Sequence, residues 1–191
     1  MFAISICVVI VVMTLIVRHS PVNGHSMYPT LKGTAMNAAD PYAAENGKND
    51  ILLISNLFYT PKSGDILVTQ SDYDMNEPLV KRVIATGGQT LKIDFQAWCV
   101  AVDGKVLNES YVNYEDAISM RADDFETVMA GCEQTDDGAY IIPEGYIFCM
   151  GDNRNHSSDS RYAGVGLIDQ RYVVGKVIFR IFPFDRIGVV K

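Results

Sequence analysis

The sequence has no run of basic residues longer than the pair Lys81-Arg82, and its formal net charge is −7, from 16 Lys and Arg against 23 Asp and Glu. An acidic chain without a basic stripe gains little from a phosphate backbone, so no nucleic-acid partner is expected. It gains nothing from anionic lipid either, so any membrane attachment has to be hydrophobic. Cysteine is sparse. Cys7, Cys99, Cys132 and Cys149 form no Cys-x-x-Cys pair and no Cys/His cluster with zinc spacing, so no metal is expected. Cys149, inside the apolar run Tyr146-Ile147-Phe148-Cys149-Met150, reads as an inert core thiol. Cys99 and Cys132 are compatible with a disulfide in an exported domain and equally with two free thiols. Internal repeats, low-complexity segments and long amphipathic helical patterns are also absent. What remains is 191 residues, 48 % of them hydrophobic, enough for an anchor and one modest domain with its own core.

Charge is missing altogether from residues 2–17, Phe-Ala-Ile-Ser-Ile-Cys-Val-Val-Ile-Val-Val-Met-Thr-Leu-Ile-Val. As a helix this run spans ~24 Å, and with Met1 it reaches the lower limit of ~17 residues for a bilayer crossing. A core element is disfavoured, because the run is apolar on every face. A cleavable leader would carry a basic n-region and a small-x-small site, and neither occurs here. The favoured reading is an uncleaved anchor over 1–18, with membrane lipid as its partner. Arg18 follows the run and no Lys or Arg precedes it, which taken alone argues weakly against export of the C-terminal part.

Beyond the anchor the chain breaks into short apolar segments separated by Gly, Pro, Asn and Asp. Strands are expected over 50–59, 66–69, 79–85, 90–95, 98–102, 140–142, 146–150 and 173–181, with a hairpin turn at Asp103-Gly104. Loops are expected over 32–49, 71–78 and 151–166. The polar stretch 106–140 reads as a cap-like excursion with one short helix near 114–130. The expected fold is therefore a mainly β, antiparallel domain over 19–191 behind one N-terminal transmembrane helix.

Three segments carry residues that suit chemistry. Ser26 follows Gly24 by two residues and precedes Pro29 by three, so its hydroxyl and its own N–H can face one space, the arrangement of a nucleophile with an oxyanion donor. Most serines in such loops only form turns. Lys81 sits beside Arg82 in an apolar strand, where one of the two must face inward. Burial disfavours the ammonium and brings the amine toward the basicity of a useful proton acceptor, with the neighbouring cation pushing the same way. The rival reading is an edge-strand lysine facing water. The loop Gly151-Asp152-Asn153-Arg154-Asn155-His156-Ser157-Ser158-Asp159-Ser160-Arg161 is costly to order unless its groups pair, and Asp159 with Arg161 can pair across a turn. A solvated polar loop is its rival; calcium spacing is absent.

Ser26-Met27-Tyr28-Pro29-Thr30-Leu31, Gly64-Asp65-Ile66, Lys81-Arg82-Val83-Ile84 and Gly151-Asp152-Asn153-Arg154 through Arg161 resemble, in order, the signature boxes of the bacterial type I signal peptidases, in the compact Gram-positive-like form. The resemblance implies a signal-peptidase-like β catalytic domain on the extracytoplasmic side of the cell membrane, anchored by a single pass. It implies a serine endopeptidase that removes signal peptides from exported preproteins after Ala-x-Ala, through an acyl-enzyme. It places the nucleophile on Ser26 and the general base on Lys81. The hydroxyl that orients the lysine falls on Ser157, and the supporting acid and arginine fall on Asp159 and Arg161. The substrate pocket falls near Val22, Met27, Leu31 and Val80. No cofactor and no histidine is needed, so His25 and His156 are bystanders and His19 an interfacial residue. Gly24 stands where some members carry a serine as second oxyanion donor, so a backbone N–H or water must substitute. Loop 32–49 is longer than the family usually has. Two rivals are a self-cleaving Ser/Lys repressor, for whose DNA-binding domain residues 1–20 leave no room, and a membrane-anchored binding module without activity.

Overall fold

The computed structural model describes residues 5, 17–35, 40–44, 47–70, 78–115, 118–122 and 124–190. The expected anchor helix lies almost wholly outside them. Among the described residues no helix is long and apolar enough to cross a membrane. The first strand, β1, is Val17–Pro21, so it begins about where the anchor over 1–18 is expected to end. Among the described strands β1 pairs only with β2, Ile51–Ser55, so Pro21 at its end interrupts no second ladder there.

The described strands form two antiparallel sheets. Along the chain after β2 come β3 (Ile66–Thr69), β4 (Leu79–Thr86), β5 (Thr90–Asp94), β6 (Cys99–Val102), β7 (Lys105–Val106), β8 (Tyr140–Ile141), β9 (Tyr146–Met150), β10 (Ile168–Asp169) and β11 (Val173–Phe182). The larger sheet has the order β1-β2-β11-β3-β4-β9-β10 and the smaller one β7-β6-β5-β8. The mainly β, antiparallel expectation holds. The β6–β7 turn falls on Asp103 and Gly104, both at positive φ (50° and 71°), as a tight primed hairpin turn requires. β3 and β4 lie in the middle of the larger sheet. Both are covered on their faces as well: β3 is buried at all four residues and β4 at the six from Val80 to Ala85.

Three apolar clusters hold this frame. Ile84, Leu91, Val100, Phe125, Met129, Ile142 and Phe148 join the two sheets. Val22, Met27, Leu31, Leu52, Ile54, Ile66, Val68, Val80 and Val177 lie under the segment that carries Ser26. Leu67, Val83, Ile147, Cys149, Ile168 and Val173 form the third. Burial pushes the Cys149 thiol far up, in keeping with an inert core group. Cys99 and Cys132 are free thiols.

The helix expected near 114–130 is reduced to α1, Phe125–Met129, whose two buried residues stand four apart on one face. The residues before it give their backbone groups to tertiary partners instead of a helical ladder. Met120 N–H donates to Phe95 O (2.9 Å), and Trp98 Nε1 donates to Ile118 O (2.7 Å). The excursion is also stitched to the Gly151 loop, because Asn113 N–H donates to Asp152 O (2.9 Å) and Arg121 N–H to Asn155 Oδ1 (2.8 Å).

Candidate active site

β1 ends at Pro21, and Val22 N–H donates to Asp50 O (2.9 Å). Gly24, at φ 69°, turns the chain back on itself. A tight turn follows, with Tyr28 N–H on His25 O (3.0 Å) and Leu31 N–H on Met27 O (2.8 Å). Met27 and Leu31 are buried and anchor the turn in the second cluster. Ser26 is left partly exposed at its crest.

The Gly151 loop grips this turn from the side. Asn153 N–H donates to Ser26 O (3.0 Å), and Asn153 Nδ2 donates to His25 O (3.1 Å). The approach depends on glycine: a Cβ at 151 would lie 2.4 Å from Ser26 O and 2.3 Å from Ser157 Oγ.

β4 brings the amine. Lys81 lies opposite Leu67 of β3, and its Nζ donates to Ser26 Oγ at 2.7 Å. Its side chain is buried, 3 % exposed, and its pKa is lowered from 10.5 to about 8. Burial is the main cause; the Asp159 carboxylate opposes it and the Arg161 guanidinium assists it. Arg82, expected to be the assisting cation and to face away if Lys81 faces in, is buried as well. β4 is buried from Val80 to Ala85, so neither of its two cations faces solvent, and Arg82 finds its own partner. Its Nε and Nη2 grip Asp152 at 2.8 and 2.7 Å, its Nη1 reaches Gly64 O (3.0 Å), and its guanidinium lies over the Tyr111 ring at 3.8 Å. This bidentate pair absorbs the Arg82 charge.

Asp159 sits below the amine, fully buried. It accepts from Arg161 Nε and Nη2 (2.8 Å each), Gly151 N–H (2.8 Å) and Ser157 Oγ (2.7 Å). Burial alone would raise this carboxyl, but those donors hold it below the usual carboxylate range. Arg161 also donates to Arg121 O (2.7 Å). Ser157, expected to orient Lys81, donates its proton to Asp159 instead. Among the described residues Lys81 and Ser157 share no hydrogen bond.

A cavity of about 620 Å³ opens over Ser26 and Lys81, lined also by Asn23, Gly24, His25, Thr34, Leu79, His156 and Ser158. Val22, Met27, Leu31 and Val80 are not on its wall; they lie in the core below, 9 % exposed or less. The two histidines are neither solvent-loose nor catalytic partners of Ser26. His25 Nδ1 pairs with Asp40 Oδ2 (2.6 Å), and His156 Nε2 with Glu115 Oε1 (2.8 Å). Tyr42 packs on Tyr28 and His156, with ring centroids 5.2 and 4.8 Å apart. The described part of loop 32–49 is thereby bolted onto the nucleophile turn.

Sequence reasoning missed four contributors: Asp152 as the partner of Arg82, Glu109, which grips Arg154 (Nη1 to Oε2 at 3.1 Å), Asp40, and Thr34. For the first, the polar density of the Gly151 loop was a usable signal that partners exist. For Glu109 and Asp40 nothing local distinguishes them from other surface acids. Among the described residues no group of side chains could hold a metal ion.

A serine hydroxyl bonded to a buried amine of lowered basicity can act chemically as a nucleophile with an adjacent proton acceptor. The family described as signal peptidase, peptidase S26, matches residues 1–182, and the chain belongs to it. Signal peptidase IB of Staphylococcus aureus is 31 % identical over 189 residues, covering 96 % of this chain and 87 % of that one. A probable signal peptidase I-1 of Synechocystis is 32 % identical over 142 residues, 71 % of this chain; the match spans 62 % of that relative's length. A solved signal peptidase I from Enterococcus faecalis is 29 % identical, with 62 % of this chain and 97 % of that one covered and a TM-score of 0.47. Members of this family are serine endopeptidases.

Proposed function

We propose that this chain removes signal peptides from exported preproteins with Ser26 as nucleophile and Lys81 as general base. The observation that carries the reading is the 2.7 Å contact between Lys81 Nζ and Ser26 Oγ, made by a buried amine whose pKa is lowered to about 8, so that a sizeable neutral fraction exists near neutrality. Neutral Nζ takes the Ser26 proton as Oγ attacks the scissile carbonyl. The resulting ammonium returns that proton to the departing amine, and a water molecule, deprotonated by the same nitrogen, hydrolyses the acyl-enzyme. Asp159 and Arg161 position the base: the acid keeps an opposite charge near the ammonium that forms, and the arginine keeps the acid ionised. Ser157 acts through Asp159.

Cleavage after small residues is assigned to the apolar surface of Leu79 on the cavity wall, with Val22, Met27, Leu31 and Val80 supporting the nucleophile turn from the core beneath it. The apolar N-terminal run is assigned as a single-pass anchor ending before β1 at Val17, with the domain from β1 onward on the extracytoplasmic side. Anchoring confines enzyme and preprotein to one surface and raises their effective concentration.

The test is cleavage of a preprotein by detergent-solubilised protein beside Ser26→Ala and Lys81→Ala, with N-terminal sequencing of the product. Cleavage after a small-x-small motif by the parent chain alone is expected. Cleavage by all three, or by none, refutes the assignment.

A further inference from the structure

We propose that Thr34 supplies the second oxyanion donor of this site, its hydroxyl acting together with the Ser26 N–H. The proposal rests on the Ser26/Lys81 reading above. Attack by Ser26 Oγ on a carbonyl forms the Oγ–C bond and moves the C=O π pair onto oxygen. That negative charge needs donors already in place. The Ser26 N–H is one: among the described residues it has no acceptor, and it belongs to a residue lining the cavity. The N–H of Gly24 is not available as the other, because it donates to Thr34 Oγ1 at 3.3 Å.

That same bond identifies the substitute. A threonine oxygen that accepts from Gly24 has its own proton left to give, and among the described residues this proton has no acceptor. Thr34 is exposed and lines the cavity with Ser26 and Lys81. The other candidate side chains are less well placed for the task. His25 Nδ1 and His156 Nε2 are committed to Asp40 and Glu115. Asn23 and Ser158 line the cavity, but among the described residues they make no hydrogen bond that fixes them beside Gly24 and Ser26.

Thr34 is also delivered there by construction. Gly33 lies against the nucleophile turn so closely that a Cβ on it would fall 2.0 Å from Gly24 O and 2.9 Å from Val22 O. On either side the chain is fixed: Lys32 N–H donates to buried Asp50 Oδ2 (2.9 Å), Asp50 N–H to Lys32 O (2.8 Å), and Ala44 N–H to Gly33 O (2.9 Å). A hydroxyl held by such a frame needs no reorganisation when the charge develops.

Steady-state cleavage of one preprotein by the full chain and by Thr34→Val, Thr34→Ser and Ser26→Ala tests this. Thr34→Val should lose about 10²- to 10³-fold in kcat with KM within about twofold, since the donor acts on the transition state and not on the bound substrate. Thr34→Ser should stay within about fivefold of the parent chain, because it restores the hydroxyl. A peptide boronate ending in alanine, whose adduct with Ser26 has a tetrahedral boron bearing an oxygen in the oxyanion's place, should weaken in parallel with kcat/KM across the series. Thr34→Val within threefold of the parent chain in kcat, or equal losses in Thr34→Val and Thr34→Ser, overturns the proposal. Activity in Ser26→Ala overturns the underlying Ser26/Lys81 reading instead, so the two failures are distinguishable.

Discussion

Replacing the lysine base should make the folded protein more stable near neutrality while abolishing its activity. Lys81 has its pKa lowered from 10.5 to about 8 by burial. At about 1.36 kcal/mol per pKa step, holding the protonated form in the folded state costs about 3 kcal/mol relative to the unfolded chain. The unfolded chain binds the proton more tightly, so this cost is present in full below pH 8 and is relieved as pH rises from about 8 to 10.5. Lys81→Met keeps the volume and removes the titration. It also removes the hydrogen bond to Ser26 Oγ, a loss of about 1 kcal/mol. The variant should therefore be more stable than the parent at pH 7 by about 2 kcal/mol, or about 4–8 °C in Tm for a chain of this length. That advantage should shrink with rising pH and reverse once lysine is neutral in both states. Urea unfolding of both proteins at pH 7, 9 and 10.5 in one detergent measures it. A variant less stable at pH 7, or a difference that does not change with pH, refutes the reasoning.

Other outcomes follow from the same geometry. On the proposed mechanism the neutral amine is the active form, so kcat/KM should climb through pH 8 and drop about tenfold for each pH step below it; a profile flat between pH 6 and 9 contradicts a Lys81 base. Gly151→Ala puts a methyl 2.4 Å from Ser26 O and 2.3 Å from Ser157 Oγ. It should cut kcat by about 10²-fold through displacement of the nucleophile, at a stability cost of about 1–3 kcal/mol; full activity with an unchanged fold contradicts the contact. Arg82→Ala strands the buried Asp152 carboxylate and should cost about 3–5 kcal/mol in urea unfolding; a loss below about 1 kcal/mol would show the pair to be solvated.

The fold was legible where local chemistry decided it. Ile66-Leu67-Val68-Thr69 is β-branched, short and flanked by turns, and it is a strand over those same residues. Asp103-Gly104 demanded positive φ at both positions and has it. The helix near 114–130 was misjudged because its first half bonds to Phe95, Trp98 and Asn155, partners set by the tertiary fold. Alternation on β4 suggested that one of Lys81 and Arg82 would face outward. The outward expectation failed because segments distant in the chain cover both faces of the strand, Ser26 meeting one cation and Asp152 the other. In the site, Ser26, Lys81, Asp159 and Arg161 could be singled out from spacing and resemblance, and the structure brings them together. The cavity wall could not. Apolar residues near a nucleophile look like pocket residues in a sequence, yet Met27 and Leu31 are what hold the turn down in the core. Thr34 carried no signal at all, since its place depends on how closely Gly33 approaches Gly24.

The site-resolved titration of the Lys81 amine, by NMR of the full chain carrying isotope-labelled lysine with Lys81→Met to assign the signal, bears most directly on whether this chain cuts peptides with a serine and a lysine. A midpoint of about 8 is the predicted result; a midpoint near 10.5, where an unburied lysine titrates, would leave Ser26 without a base and contradict the account.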